Sequence, residues 1–506
     1  MSHMKINLKY ALIIAGLLAA SSCSMMMEGD KMEGDRLNQV IESIRSRTLL
    51  DYVDELSSDK YAGRLTGTPE YTQAAEWLAS HFEKWGLEPA GDENSYLHSF
   101  PNPYTIVFEG GELAYHHDMQ DLDNKRYYKY EEEYYPGSNS GDGAITAQLV
   151  YAGYGITAPE LEYDDYSGMD VEGKIVLLEP GVPVSPEDDP AAYRDWRPYS
   201  LHDYKVKMAV AHGAGAMLYN CLAVNPNIAY VKDFFVSQVG QTVMEEAFAG
   251  TGRNHGEVIA RIKQNLKPQS FETGKLFTME NLTEHHPEGT GYNVLGKIPG
   301  TDPELKAETI IIGAHLDGAG FCYEIIPGAN DNASGTAVMM ELARALSLSP
   351  VKPRRSILFI GFGSEEQDLR GSRAYVENPA VPLDKTAAFI HLDMTGCGDK
   401  YSVLAAENYP EFWEFILKAN QNYIGREFRT RYFTGITPPH LDAEIFLDKE
   451  VPTLSFSAYG APTYPHTTRD TAETITPAIM SDLTKILFRS VLDMSRKNSL
   501  NFRTDD

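Results

Sequence analysis

The chain has 506 residues, 42% of them hydrophobic, which excludes a disordered polymer and leaves room for two or three domains. Its 44 lysines and arginines stand against 72 aspartates and glutamates, a net charge of −28. That balance excludes nucleic acid as a partner, because a phosphate backbone demands a basic footprint.

The N-terminus reads as a targeting segment. MSHM looks like a cloning remnant. Lys5 and Lys9 then precede an apolar run from Tyr10 to Ala20, and Ala-Ser-Ser-Cys follows, ending at Cys23. The run is too short for a spanning helix and has the form of a secretory signal, residues 1–22. The small residues before Cys23 resemble a bacterial lipoprotein cleavage site. The expectation is an exported lipoprotein of the periplasm, outer membrane or cell surface, held to the membrane through a lipid anchor only. Residues 23–35, rich in Met and charge, read as its tether. Three further cysteines, Cys221, Cys322 and Cys397, allow at most one internal disulfide. Cys322 and Cys397 each follow an expected strand end; a bridge between them and two free buried thiols both fit the sequence.

Residues 36–110 open the main domain. Leu37, Ile41, Ile44, Leu49, Val53 and Leu56 recur at roughly helical period. The Gly-rich turn YAGRLTGTPEY comes next, then a helix over 71–85 closed by Gly86. SYLHSF and YTIVF read as strands. Between 111 and 273 the composition shifts to short β-like runs, AQLVYAGYGI and GKIVLLEPG, and a helix-to-strand stretch, LHDYKVKMAVAHGAGAMLYN. This predicts a compact β-rich lobe inserted into the main domain and overhanging its site. The YEEEYY run within it reads as a solvated acidic surface rather than a cation site.

The main domain resumes over 274–497 with alternating strands and helices, which predicts a mostly parallel, helix-flanked sheet of the α/β class. Residues 309–335 run TIIIGAHLDGAGFCYEIIPGANDNASG. Three consecutive isoleucines predict a strand buried on both faces, ending on His315 and Asp317. The loop after it ends on Asp331, and Ser334 is expected to N-cap a helix reaching Leu346. RSILFIGFG is a second buried strand, ending before Glu365 and Glu366. TAAFIHLDM is a third, ending on Asp393. VPTLSFS is a late strand, followed by YGAPTYPHTTRDT with His466. A long helix closes the domain, and the acidic tail, 498–506, is expected to be loosely held.

In open α/β sheets the carboxyl ends of the strands are where ligands bind. There this chain gathers His315, Asp331, Glu365, Glu366, Asp393 and His466. Oxygen donors with imidazole and no thiolate suit zinc, manganese or cobalt. The set is large enough for two ions sharing a bridging carboxylate, an arrangement suited to hydrolysis.

The ordered strings GAHLD, GANDNASG, SEEQDLRGS, HLDMTG and YPHTTRDT resemble the co-catalytic di-zinc aminopeptidase family. Its clan also holds glutamate carboxypeptidase, the transferrin receptor and the glutaminyl cyclases. GYGI, DDYSGMDVEGKIVLL and KMAVAHGAGAMLYN make the insertion resemble a protease-associated domain. The resemblance implies two zinc ions, one held by His315 and Asp393, the other by Glu366 and His466, with Asp331 bridging. It implies Glu365 as general base and Asp317 behind His315, orienting its imidazole. The implied substrates are peptides with a free N-terminus. Two departures stand out: Asp368 replaces a usual glycine, and Leu441-Asp442-Ala443 replaces Ser-Asp-His. The alternatives within the clan are a carboxypeptidase-type or dipeptidase member and a glutaminyl cyclase. A carboxypeptidase needs a basic cluster for the substrate carboxylate, and the motifs carry none beside them. A non-enzymatic scaffold is disfavoured by the complete ligand set.

Overall fold

The computed structural model describes residues 34–118, 120–186, 188–226, 229–433 and 440–503. The expected signal, Cys23 and nearly all of the tether lie outside the described residues. Among the described residues no helix is long and apolar enough to cross a membrane.

Among the described residues nine strands build the main sheet: β1 (Glu88–Pro89), β2 (Leu97–Pro101), β3 (Thr290–Ile298), β4 (Thr309–His315), β5 (Ser356–Phe362), β6 (Thr386–Leu392), β7 (Lys400–Leu404), β8 (Phe428–Arg431) and β9 (Thr453–Tyr459). Their order is β1-β3-β5-β4-β6-β9-β7-β8, with β2 also on β3. The centre, β5-β4-β6-β9, is parallel. Antiparallel pairs flank it, β3 on β5 at one side and β7 on β9 at the other.

The central strands read as unbroken apolar runs because both faces are covered. Ile310 and Ile312 point into one core, with helices Ser46–Leu56, Pro69–Lys84, Gly335–Leu348 and Pro477–Arg496. Ile311 points into the other, with Tyr375 and Phe446 from helices Arg370–Glu377 and Asp442–Leu447. The helix expected over 37–56 is broken at residues 44 and 45. Ser334 stands at the N-cap position of this helix, but its side chain makes no cap bond. Its φ of −66° and ψ of −47° are already helical, and its hydroxyl turns back to donate to the Asn330 carbonyl at 2.8 Å. Its lone pairs serve another segment, accepting the Thr395 N–H at 2.9 Å, and no amide of the helix's first turn reaches it.

The lobe is built on a second sheet, with Gly143–Tyr151, Ile175–Leu178, Ala216–Tyr219 and Phe235–Val239 running parallel. Ile175 and Leu177 bury on one side, Val176 and Leu178 on the other. Its long strands, Tyr104–Asp118 and Phe271–His286, cross positions 111 and 273 and carry the sheet toward the main domain. The loop after β4 joins that sheet, Cys322 pairing with Val107. Val107, Tyr135, Val224, Ala319 and Ile326 close the seam as a small core of their own. The YEEEYY run is half interior: Tyr130, Tyr134 and Tyr135 face apolar neighbours, while Glu132 and Glu133 pair with Lys129 and Arg126.

The turn YAGR seats the first segment against the same loop. Gly63 has φ +73°, and a Cβ there would meet the Gly320 carbonyl oxygen at 2.2 Å, so only glycine fits. Beside it Arg64, fully buried, donates to the carbonyls of Leu316, Leu56, Pro327 and Gly328 at 2.7–2.8 Å. Cys322 and Cys397 are both free thiols. The described part of the tail, 498–503, is held at Phe502, which is buried and stacks on Phe412 at 4.8 Å, while 504–506 lie outside the described residues.

Candidate metal centre

Three parallel strands and two loops deliver the site. β4 ends on His315, β5 is followed by Glu365 and Glu366, and β6 by Asp393. Asp331 lies in the turn Ala329–Ser334 before helix Gly335–Leu348, and His466 lies beyond β9. All six expected ligand and base residues converge.

His315 Nε2 stands 3.4 Å from Oδ1 of Asp331 and 3.4 Å from Oδ1 of Asp393. On the other side His466 Nε2 is 3.5 Å from Asp331 Oδ2 and 2.7 Å from Glu366 Oε2. Asp331 therefore turns one oxygen to each histidine. Two donor groups can each surround an ion, His315–Glu365–Asp393 and His315–Asp331–Glu366. Glu365 thus shares the first position with Asp393, and distance alone does not separate a ligand role from a base role for it.

Hydrogen bonds hold the ligand-bearing loops. Asp317, fully buried, accepts the backbone N–H of Glu365 at 3.2 Å and of Glu366 at 3.3 Å. Its own distance to His315 Nδ1 is 3.5 Å, too long for a formed hydrogen bond, so its tighter grip is on the turn that carries the two glutamates. Asp470 does the same for the other loop, accepting N–H of Asn330 and Asp331 at 2.9 Å. The lobe also takes part. His466 Nδ1 donates to the Val224 carbonyl at 2.8 Å, and the Val224 N–H donates to the His466 carbonyl at 3.0 Å. That pairing leaves Nε2 of His466 facing the carboxylates. Ala223, next along the lobe, lines the cavity above the site.

The electrostatics are those of a buried acid cluster short of cations. Burial pushes the carboxyls of Glu365 and Glu366 above the usual carboxylate range, with His315 and His466 offsetting part of it. Burial acts on Asp331 the same way, but the two histidines outweigh it and hold that carboxyl well below the usual range. Burial opposes charge on both imidazoles, yet Glu365 beside His315 and Glu366 beside His466 hold them well above the ordinary histidine value.

The residues fit a metal. Donors about 2.0–2.2 Å from a tetrahedral zinc stand roughly 3.3–3.6 Å apart, the spacing of the His315 and Asp331 contacts. The Glu366–His466 pair is closer, a direct hydrogen bond that an ion would part. Glu366 Oε1 is buried without a partner, an orphan that a cation satisfies.

Asp368 has φ +75°, the left-handed region, which accounts for the glycine usual there; aspartate tolerates it better than most residues. Its carboxylate stands 3.5 Å from His440 Nε2. Asp442 is fully buried, 4.0 Å from His391 Nε2. Arg431, at the end of β8, and His440 line the same cavity as Glu365 and Asp393. Sequence reasoning missed Val224, Asp470, Arg431 and His440. For Arg431 alone there was a local signal, the basic string FRTR.

Residues 293–491 match the family model described as Peptidase family M28. Aminopeptidase YwaD of Bacillus subtilis is 30% identical over 294 residues, 56% of this chain and 50% of that protein. The probable lipoprotein aminopeptidase LpqL of Mycobacterium tuberculosis is 24% identical over 351 residues, 68% of this chain and 57% of that one. The chain thus spans about half the length of these relatives. A solved zinc aminopeptidase from Bacillus subtilis shares the fold, with a TM-score of 0.59 and 21% identity over 92% of this chain and 98% of its own.

Proposed function

We propose that the chain is a member of peptidase family M28, whose model matches residues 293–491, and that it is an exported, zinc-dependent aminopeptidase that removes N-terminal residues from peptides. The observation that carries this reading is Asp331 standing between His315 and His466, one oxygen to each, with Glu365, Glu366 and Asp393 around them. His315 and Asp393 would hold one ion and Glu366 and His466 the other, with Asp331 shared. The relative and the solved structure named as aminopeptidases, one of them a zinc enzyme, support the same chemistry.

Bound zinc would supply Lewis acidity toward water and the scissile carbonyl. Glu365, on the cavity wall, takes the proton of the attacking water and returns it to the leaving amine. Asp317 fixes the turn that aims Glu365 and Glu366, and Asp470 fixes Asp331. The lobe, of protease-associated type and read as 111–273, narrows access through Ala223 and holds His466 through Val224. Export as a lipoprotein from Cys23 rests on the N-terminal sequence and on the likeness to LpqL.

A panel of aminoacyl anilides, carboxyl-blocked peptides and an N-terminal Gln peptide tests the reading. The zinc-loaded protein should release free N-terminal residues from the first two and lose that activity to a chelator. Cyclisation of the Gln peptide with no hydrolysis, or activity indifferent to chelation, would overturn it. Intact mass of the membrane fraction tests the anchor: a mature chain starting elsewhere than an acylated Cys23 removes it.

A further inference from the structure

The cavity over the acid cluster has a volume of about 390 Å³, and its walls include Glu365, Asp393, Met394, Leu441 and Arg431. Arg431 is unlike the other interior arginines. Arg64 is satisfied by four carbonyls, Arg355 by Glu308, Arg344 by Glu341 and Arg426 by Asp482. Arg431 has no carboxylate within ion-pair distance among the described residues, and its Nε is buried without a hydrogen-bond partner. Its position is fixed: β8 pairs with β7, Arg431 opposite Leu404, and its carbonyl accepts the Ala405 N–H at 2.8 Å. The second basic side chain on this wall, His440, is already taken. Glu444 meets its Nδ1 at 2.9 Å, and Asp368 lies 3.5 Å from its Nε2. Among the described residues, one guanidinium is thus held at the wall of the cavity with its planar fork of donors uncommitted. That fork is shaped for the two oxygens of a carboxylate.

We infer that Arg431 receives a carboxylate of the substrate, so that the cavity selects peptides carrying a negative charge within its reach. The inference rests on the aminopeptidase reading and names the substrate class of that site. The carboxylate has two sources, the acidic side chain of the N-terminal residue or the free C-terminus of a very short peptide. Both present the same planar anion.

The zinc-loaded enzyme and its Arg431→Gln and Arg431→Lys variants are assayed on two matched pairs. Glutamyl against glutaminyl anilide isolates the side chain, and Leu-Ala against Leu-Ala amide isolates the C-terminus. In one pair the wild type should favour the acid about 30-fold or more in kcat/KM, the low end for a desolvated charge pair. Arg431→Gln should bring that ratio close to one, and Arg431→Lys should keep part of it. The pair that responds identifies the source. Equal rates on both pairs, or a preference that survives Arg431→Gln in a variant that melts like wild type, overturns the inference. If no substrate is cleaved, the peptidase reading itself fails. Calorimetric binding of glutamate against glutamine to wild type and Arg431→Gln then still decides for Arg431: tighter glutamate binding that the variant loses supports it, and its absence refutes it.

Discussion

Glu365 and Glu366 follow the same strand, one residue apart, yet the structure puts them in different positions. Glu366 is engaged: Oε2 meets His466 at 2.7 Å, and Oε1 is buried without a partner. Glu365 is held only through its backbone, by Asp317 at 3.2 Å, and its side chain lines the cavity. Glu365→Gln therefore breaks no hydrogen bond of the resting protein, and the variant should still fold and melt cooperatively. If it is the base, turnover falls by roughly 10²–10⁴. That is about 3–5 kcal/mol of lost transition-state stabilisation. Zinc content should not change, since His315, Asp331, Glu366, Asp393 and His466 remain. Glu366→Gln should behave in the opposite way. It removes a charge-assisted hydrogen bond to His466, worth about 1.5–3 kcal/mol. Zinc per chain should fall toward one, with activity partly restored by excess metal. Elemental analysis, steady-state kinetics and thermal melts on both variants are the assay. Because Glu365 also lies within a donor group with His315 and Asp393, the refuting result is specific. Loss of zinc from Glu365→Gln with retention in Glu366→Gln would reverse the roles, and full activity in Glu365→Gln would remove the base.

Arg64→Met leaves four carbonyls without their donor, and at about 1–3 kcal/mol for each stranded group the loss should exceed ~3 kcal/mol in chemical denaturation; a loss below ~1 kcal/mol would mean the turn re-forms without it. In the lobe, burial pulls the Lys205 ammonium down to about 7, though it donates to the Tyr154 and Gly181 carbonyls, and burial pushes the Asp165 carboxyl up to about 7. From about pH 4 to 7 the folded lobe keeps the Asp165 proton that the unfolded chain has released, so stability falls as pH rises; from 7 to about 10 the unfolded chain holds the extra Lys205 proton, so stability rises again. The lobe's unfolding followed at pH 5, 7 and 9 should pass through a minimum near 7, and Lys205→Met should flatten the upper limb; a limb that persists in the variant assigns it to other groups. Cys221, Cys322 and Cys397 are free, so reduction should leave mass and melting unchanged, and a two-dalton shift would show a bridge the structure lacks.

The convergence of the candidate residues was legible in part because His315, Glu365, Glu366 and Asp393 sit where an apolar run stops, while Asp331 and His466 lie in loops farther on. Ile310 to Ile312 alternate between two buried cores, and a strand of that kind must run through the middle of a covered sheet, with its polar residues at the exit. Glu365, Glu366 and Asp393 follow strands of the same type. What supports the site was not legible, since it arrives from distant chain. Val224 meets His466 across 242 positions, and nothing in its local sequence marks it. Asp470 falls within the string YPHTTRDT, but nothing in that string shows that it reaches the amides of Asn330 and Asp331. Ser334 carried a valid capping preference, which lost to a bond back to Asn330. In the described part of the tail, the single ring of Phe502 makes the contact that charge alone does not reveal.

The lobe's grip on His466 has a consequence for the order in which the chain is made. Val224 leaves the ribosome long before its partner, while strand Gly143–Tyr151 of the lobe still waits for Phe271–His286, with which it pairs. His315, Asp331 and the acids after β5 and β6 come later, and His466 comes last of the set. Until then Val224 has no imidazole to hold, and Asp331 has a histidine on one side only. An unfinished chain therefore lacks the assembled cluster, and the candidate site closes only after nearly everything around it has been translated.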